Sequence, residues 1–217
     1  MIIKNKKIVV LGDSITEGVG TSDPSVYSYP VVLGKLSGAI IYNYGVSGTR
    51  FAKQTINDNP AFQESFIQRM HRIKEDPDVV LVFGGTNDFG HGDAPFGEDT
   101  DRTDDTYVGA CHVLFSGLIE KFPKARIVVI TPLHRLSENN RVKEVRNIPT
   151  VVLEEYVKVQ RKVAEYYSLP VIDLYKISGL QPAIPAIQKM YMPDGLHPSD
   201  EGAKLIAEII YAQLQSL

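Results

Sequence analysis

The chain has 217 residues, 43% of them hydrophobic and 23% charged, with a formal net charge of -3 at pH 7. That length suits one sizeable domain spanning residues 1–217 with an ample core, and the charge offers no basic footprint for nucleic acid or an anionic membrane. The single cysteine, Cys111, rules out an internal disulfide and fits a reducing compartment.

Lys4, Lys6 and Lys7 resemble a basic leader, but the apolar run behind them, Ile8 to Leu11, is too short for a signal peptide. No stretch approaches the ~20 apolar residues of a membrane span. The expectation is a soluble, cytoplasmic protein, and the sequence carries no signal for an oligomeric state. Ile8 to Leu11 is continuous and β-branched, as in a strand buried on both faces. It stops at Gly12, and a polar turn then carries Asp13 and Ser14. Pro30 suits the first turn of a helix with Val32, Leu33 and Leu36 inward and Gly38 at its end.

Ala39 to Tyr42 reads as a second strand, running into the glycine-rich turn Gly45-Val46-Ser47-Gly48. Residues 61 to 75 have helical spacing, with Phe62, Phe66, Met70 and Ile73 on one face. Val79 to Phe83 is the clearest strand and leads into Gly84-Gly85-Thr86-Asn87-Asp88. Phe89 to Asp105 is rich in Gly, Asp and Pro and reads as a surface loop. Tyr107, Cys111, Leu114, Leu118 and Phe122 mark another amphipathic helix.

Arg126 to Ile130 is the fourth strand, followed by His134 and a polar, basic stretch over 135–149. A helix starting near Thr150 places Val152, Tyr156, Val159 and Val163 inward. Val171 to Leu174 is a short fifth strand, and Tyr175 to Met192 reads as a loop. Asp194-Gly195-Leu196-His197-Pro198 precedes a last helix, with Ser199, Asp200 and Glu201 in its first turn. Its inner face is Ala203, Ile206, Ala207, Ile210 and Leu214. Strands alternating with helices predict an α/β fold, a three-layer α/β/α domain on a five-stranded parallel sheet. A flavodoxin-like strand order is preferred over a Rossmann-like one.

In such a sheet ligands bind at the carboxyl ends of the strands. That edge gathers the turns holding Ser14, Gly48, Asn87 and His134, and the Asp194–His197 loop joins them. A serine hydroxyl needs a base within reach and a third group to orient the base. His197 is the histidine with an acid nearby, Asp194, and Gly195 lets the chain bend between them. Candidate donors to an oxyanion are the amides of Ser14 and Gly48 and the side chain of Asn87.

These segments resemble the four motif blocks of the SGNH hydrolases, also called the GDSL esterase/lipase family, in family order over almost the whole chain. Gly12-Asp13-Ser14-Ile15 is similar to the nucleophile block, with isoleucine in place of leucine. Gly45-Val46-Ser47-Gly48 is similar to the second block, whose oxyanion glycine falls on Gly48, with Gly45 the alternative. Gly84 to Asp88 is similar to the third, with Asn87 in the oxyanion role, and Asp194 to Pro198 to the last. The resemblance implies hydrolysis of small-molecule esters or thioesters without metal or cofactor. Short acyl esters, acetyl groups on sugars among them, are preferred to long-chain lipids because no long apolar lid is evident; a thioesterase or lysophospholipase-type lipase is the alternative.

Other residues receive lesser roles. Asp13 and Asp88 are expected to brace their turns, and His134 to face either the pocket or solvent. The acids of 91–105 match neither a calcium loop nor a zinc motif, and that segment is a candidate wall of the site. Arg135, Arg141, Lys143 and Arg146 form either a solvated connection or a basic lid. His71, His112 and Cys111 read as structural. Two non-hydrolytic classes stay open: a phosphate or flavin binder using the Gly12–Thr16 turn, and a non-catalytic carbohydrate or lipid binder. The chain lacks a Walker motif, a dinucleotide fingerprint and a G-x-S-x-G elbow.

Overall fold

Runs of Val, Ile and Leu build the centre of the molecule. In the computed structural model, which describes residues 1–55, 64–144 and 147–217, they form β1 (Lys7–Gly12), β2 (Ile40–Gly45), β3 (Val79–Phe83), β4 (Arg126–Ile130) and β5 (Val171–Ile172). All pairings are parallel, in the order β2-β1-β3-β4-β5. This is the flavodoxin-like arrangement expected from the sequence.

Side-chain alternation splits each central strand between two cores. Val9, Leu11, Val80, Val82, Ile127 and Val129 face one side. There they meet α4 (Phe66–Met70), α6 (Tyr107–Lys121) and α7 (Leu153–Tyr166). Ile8, Val10, Leu81, Phe83, Val128 and Ile130 face the other. There they meet α3 (Tyr29–Ser37) and α10 (Asp200–Ser216). Burial on both faces explains why these strands read as unbroken apolar runs.

The register aligns the carboxyl ends of the strands. Gly12 lies opposite both Gly45 and Phe83, Phe83 opposite Ile130, and Ile130 opposite Ile172. The strands therefore end flush, and the turns after them leave side by side. The turn after β1 enters α1 (Ser14–Glu17), followed by α2 (Pro24–Tyr27), and the turn after β3 enters α5 (Thr86–Gly90).

Several expectations are corrected. Of the helix expected over 61–75, the described residues form one over Phe66–Met70, and Phe62 lies outside the described residues. Its capping box, Ser65 with Gln68, starts it late. Leu36 points outward from α3 and is 42% exposed, whereas Leu33 is fully buried. Val152 is the N-cap of α7 rather than a core residue, and Leu153 and Val157 fill the core with Tyr156, Val159 and Val163. β5 has two residues, because Asp173 turns the chain into α8 (Leu174–Ile177). α9 (Pro185–Tyr191) also interrupts the expected loop, with Pro185 preset for its first turn. The expected 89–105 loop begins inside α5, and its Phe89 and Ala94 are buried.

Candidate active site

Ser14 is the first residue of α1, directly beyond β1. Asp13 caps that helix, its Oδ1 accepting from the Ile15 amide at 3.0 Å. The cap fixes the direction in which Ser14 leaves the strand, and Ser14 itself is buried. Burial raises the Asp13 carboxyl to about 6, against the Ile15 bond, the His197 ring and the Arg69 charge.

The Ser14 hydroxyl lies 3.0 Å from His197 Nε2 across 183 residues of sequence. On the other side of the ring, His197 Nδ1 lies 2.6 Å from Asp194 Oδ2. Asp194 Oδ1 also accepts from the amides of His197 at 2.7 Å and Leu196 at 2.8 Å. These bonds wrap the loop around one carboxylate, and Gly195 supplies the left-handed turn at φ 79°. Burial pushes the Asp194 carboxyl up, but the His197 ring and the two amides outweigh it and hold it below its ordinary value. An ionised Asp194 accepts a hydrogen bond from Nδ1–H of the neutral ring, so Nε2 offers its lone pair to Ser14.

The two candidate oxyanion glycines separate clearly. Gly45 gives its amide to Asn43 Oδ1 at 2.8 Å. A Cβ there would sit 2.2 Å from the Glu17 amide nitrogen. Gly45 is thus a close-approach position between β2 and α1. Gly48 turns at φ 73°, and among the described residues no acceptor takes its amide. The Ser47 just before it gives its amide to the Glu17 carboxylate at 2.8 Å, tying this turn to α1. Asn87 Nδ2 donates to Thr49 O at 3.0 Å, and its Oδ1 lies 2.9 Å from His91 Nε2. An amide nitrogen carries two hydrogens, so one Asn87 N–H is left after the Thr49 bond.

A model of the GDSL-like lipase/acylhydrolase family matches residues 10–205, from β1 into the last helix. This chain belongs to that family. An acetylxylan esterase from Xylanibacter ruminicola is 26% identical over 96% of this chain, which spans 43% of that protein's length. The crystal structure of a Lactobacillus plantarum protein is 29% identical, with a TM-score of 0.84 over 98% of each chain. A lipase/acylhydrolase from Enterococcus faecalis is 24% identical, with a TM-score of 0.67 over 97% of this chain and 96% of that one. The last likeness is one of fold.

The remaining residues of this GDSL-family chain divide into braces and bystanders. Asp88 accepts from the amides of Phe51 at 2.9 Å and Ala52 at 3.0 Å, pinning the segment after Gly48 onto α5. Its burial raises the carboxyl to about 6, opposed by those amides and by the charges of Lys143 and Arg50. His134 is turned aside: Nδ1 meets Glu138 Oε2 at 2.8 Å, and the ring lies against Tyr175. Among the described residues of the basic stretch, two cations are buried and partnered. Arg135 is buried, pairs with Glu144 at 2.7 Å and lies over the Phe89 ring. Lys143 is buried too and donates to Asp88 O at 2.9 Å and Ala94 O at 3.0 Å. Arg141 is exposed, and Arg146 lies outside the described residues. His112 and Cys111 are buried in α6, whereas His71 caps α4 in solvent.

Arg69, Arg50 and the His91 ring, which the sequence reading gave no role, support this site together with Lys143, which it placed in a solvated connection or a basic lid. Arg69 of α4 is buried and donates to Gly12 O at 2.9 Å, to Thr49 Oγ1 at 2.7 Å and to Tyr44 O. It clamps the ends of β1 and β2 to the Gly48 turn, and desolvation lowers it to about 10. Lys143 anchors α5, and Arg50 donates to His91 Nδ1. The available signal was a lone arginine on the apolar face Phe66, Met70, Ile73. Among the described residues, no group of three His, Cys, Asp or Glu side chains is placed to hold a metal, and no helix is long and apolar enough to cross a membrane.

Proposed function

We propose that this chain is a serine esterase that cleaves short-chain carboxylic esters, acetyl esters of carbohydrates among them. The observation that carries the reading is the relay Ser14 Oγ, His197 Nε2, His197 Nδ1, Asp194 Oδ2, with steps of 3.0 and 2.6 Å. As Ser14 Oγ attacks the acyl carbon, its proton passes to His197 Nε2. Asp194 stabilises the imidazolium so formed. Charge gathers on the former carbonyl oxygen, which the amides of Ser14 and Gly48 and the Asn87 side chain receive. The C–O bond to the alcohol then breaks, and the alcohol leaves with the proton from His197. Water, deprotonated by the same ring, attacks the acyl-enzyme, and Ser14 recovers its proton as the acid departs.

Short acyl groups are supported by what borders the relay. Among the described residues, Val19, Val46 and Leu136 are exposed apolar side chains on segments bonded to this edge, each 37–39% exposed. Their amides bond to Ser14 O, Gly12 O and Gly195 O respectively. Such a rim covers an acetyl or butyryl chain more readily than a long one. The acetylxylan esterase relative points the same way for the leaving alcohol. The test is hydrolysis of p-nitrophenyl esters from acetate to palmitate, beside acetylated xylan and an acyl thioester. The acetate ester is expected to be cleaved fastest, and Ser14→Ala to lose at least about a thousandfold in kcat with its circular dichroism unchanged. Retained activity in that variant refutes Ser14 as nucleophile. A rate rising with chain length, or a thioester preferred to its oxygen ester, replaces the substrate reading with a lipase or thioesterase.

A further inference from the structure

The Asn87 carboxamide is held by a chain of side chains whose polarity has one solution. A guanidinium has donors and no acceptor. Arg50 Nη2 therefore donates to His91 Nδ1, which must present its lone pair. In the neutral ring the proton then sits on Nε2, and it is given to Asn87 Oδ1 at 2.9 Å. At the far end Thr49 O is an acceptor and takes a proton from Asn87 Nδ2 at 3.0 Å. Both ends demand the same orientation of the amide, N–H forward and C=O back. Arg50 and Asn87 are buried, and His91 is half-buried at the C-cap of α5, four residues past Asn87.

We infer that His91 is a positioning residue for ester hydrolysis, locking the Asn87 amide so that its spare N–H meets the oxyanion, with Arg50 fixing the ring tautomer. The inference rests on Asn87 being an oxyanion donor, as proposed above. Removing the Nε2 proton leaves Asn87 Oδ1 without that partner, and the carboxamide rotates. A rotated amide offers a lone pair, or nothing, to the developing charge. The loss falls on the transition state, where that charge is greatest, and spares substrate binding. A donor misplaced by about 1 Å costs on the order of a hundredfold.

A double-mutant cycle tests this on p-nitrophenyl acetate. His91→Ala is expected to lower kcat roughly ten- to hundredfold with KM within about twofold of wild type. In an Asn87→Ala background the same change costs less than about twofold, since the group it acts through is gone. His91→Gln, whose amide N–H reaches toward the place of Nε2, recovers to within about threefold of wild type, and His91→Phe, similar in bulk and without a donor, does not. An equal loss from His91→Ala in both backgrounds, or equal activity of the Gln and Phe variants, overturns the inference and leaves Asn87 in its role. Asn87→Ala within about threefold of wild type removes Asn87 from the oxyanion site, and the inference about His91 falls with it. If His91→Ala does not fold, the Gln and Phe pair carries the test alone.

Discussion

Asp13 and Ser14 are neighbours with opposite requirements. As the proposed nucleophile the serine must be reactive, and the aspartate must hold it still while nearly removed from water. The cost of that placement has a definite pH dependence. The folded protein retains the Asp13 proton up to about 6, whereas the unfolded chain releases it near 3.8. Between those values the folded state binds more protons, so this group's contribution to stability falls as pH rises from about 4 to about 6 and stays reduced above. Asp13→Asn keeps an Oδ1 for the Ile15 amide and has no charge to bury. Urea unfolding of both proteins at pH 4.5 and 7.5 should show the variant gaining on wild type at the higher pH by on the order of 1–3 kcal/mol. A stability difference between the two proteins that is the same at both pH values contradicts this account.

At the scale of elements, the placement of Ser14, the proposed nucleophile, depends on how tightly α1 sits on the end of β2. Gly45 lies opposite Gly12 in the ladder, and a Cβ on it would approach the Glu17 nitrogen to 2.2 Å and the Thr16 carbonyl carbon to 2.6 Å. Both are backbone atoms and cannot swing aside. Gly45→Ala must therefore part the helix from the strand and carry Ser14 with it. The expected result is a fall of at least tenfold in kcat/KM on p-nitrophenyl acetate and a loss of about 1–3 kcal/mol in urea unfolding. Wild-type values for both show that the junction tolerates the methyl group and that Ser14 is placed by other contacts.

The same scale shows what the amino-acid order reveals. β1, β3 and β4 were legible because burial on both faces leaves only apolar side chains over their buried lengths. The inner face of α10 was legible because its opposite side meets water. α4 was overextended because Ile73 continues the apolar period into the core after the helix has stopped. α9 was missed because a helix of seven residues with no buried side chain leaves no periodic signal. Ser14, Gly48, Asn87, Asp194 and His197 stood out because each lies in a short glycine-bearing polar motif whose members are neighbours in sequence. The partners of Arg69, Arg135 and His91 are set by folding: Gly12 is 57 residues from Arg69, Thr86 is 49 from Arg135, and Arg50 is 41 from His91. A buried cation looks like a solvated one until those partners meet it.

For the whole molecule, the site is a property of the sheet edge rather than of any one segment. Ser14 follows β1, Gly48 follows β2, Asn87 follows β3, and the Asp194–His197 loop comes from beyond β5. The turn after β4 closes the circuit: Leu136 donates its amide to Gly195 O at 2.8 Å, and its side chain lies where a Cβ on Gly195 would stand, 2.4 Å from that point. Each turn is thus tied to a strand buried between the two cores or to another turn so tied. Local opening of the histidine loop would have to break the Leu136 contact, the Gly195–Met192 bond and the wrap around Asp194 together. The site should therefore disappear with the fold and not before it. Titrated with urea, hydrolysis of p-nitrophenyl acetate and far-ultraviolet circular dichroism are expected to fall with the same midpoint. If activity vanishes at clearly lower urea while the dichroism is intact, the histidine loop opens independently, and the rigidity of the relay belongs to the loop rather than to the sheet that carries it.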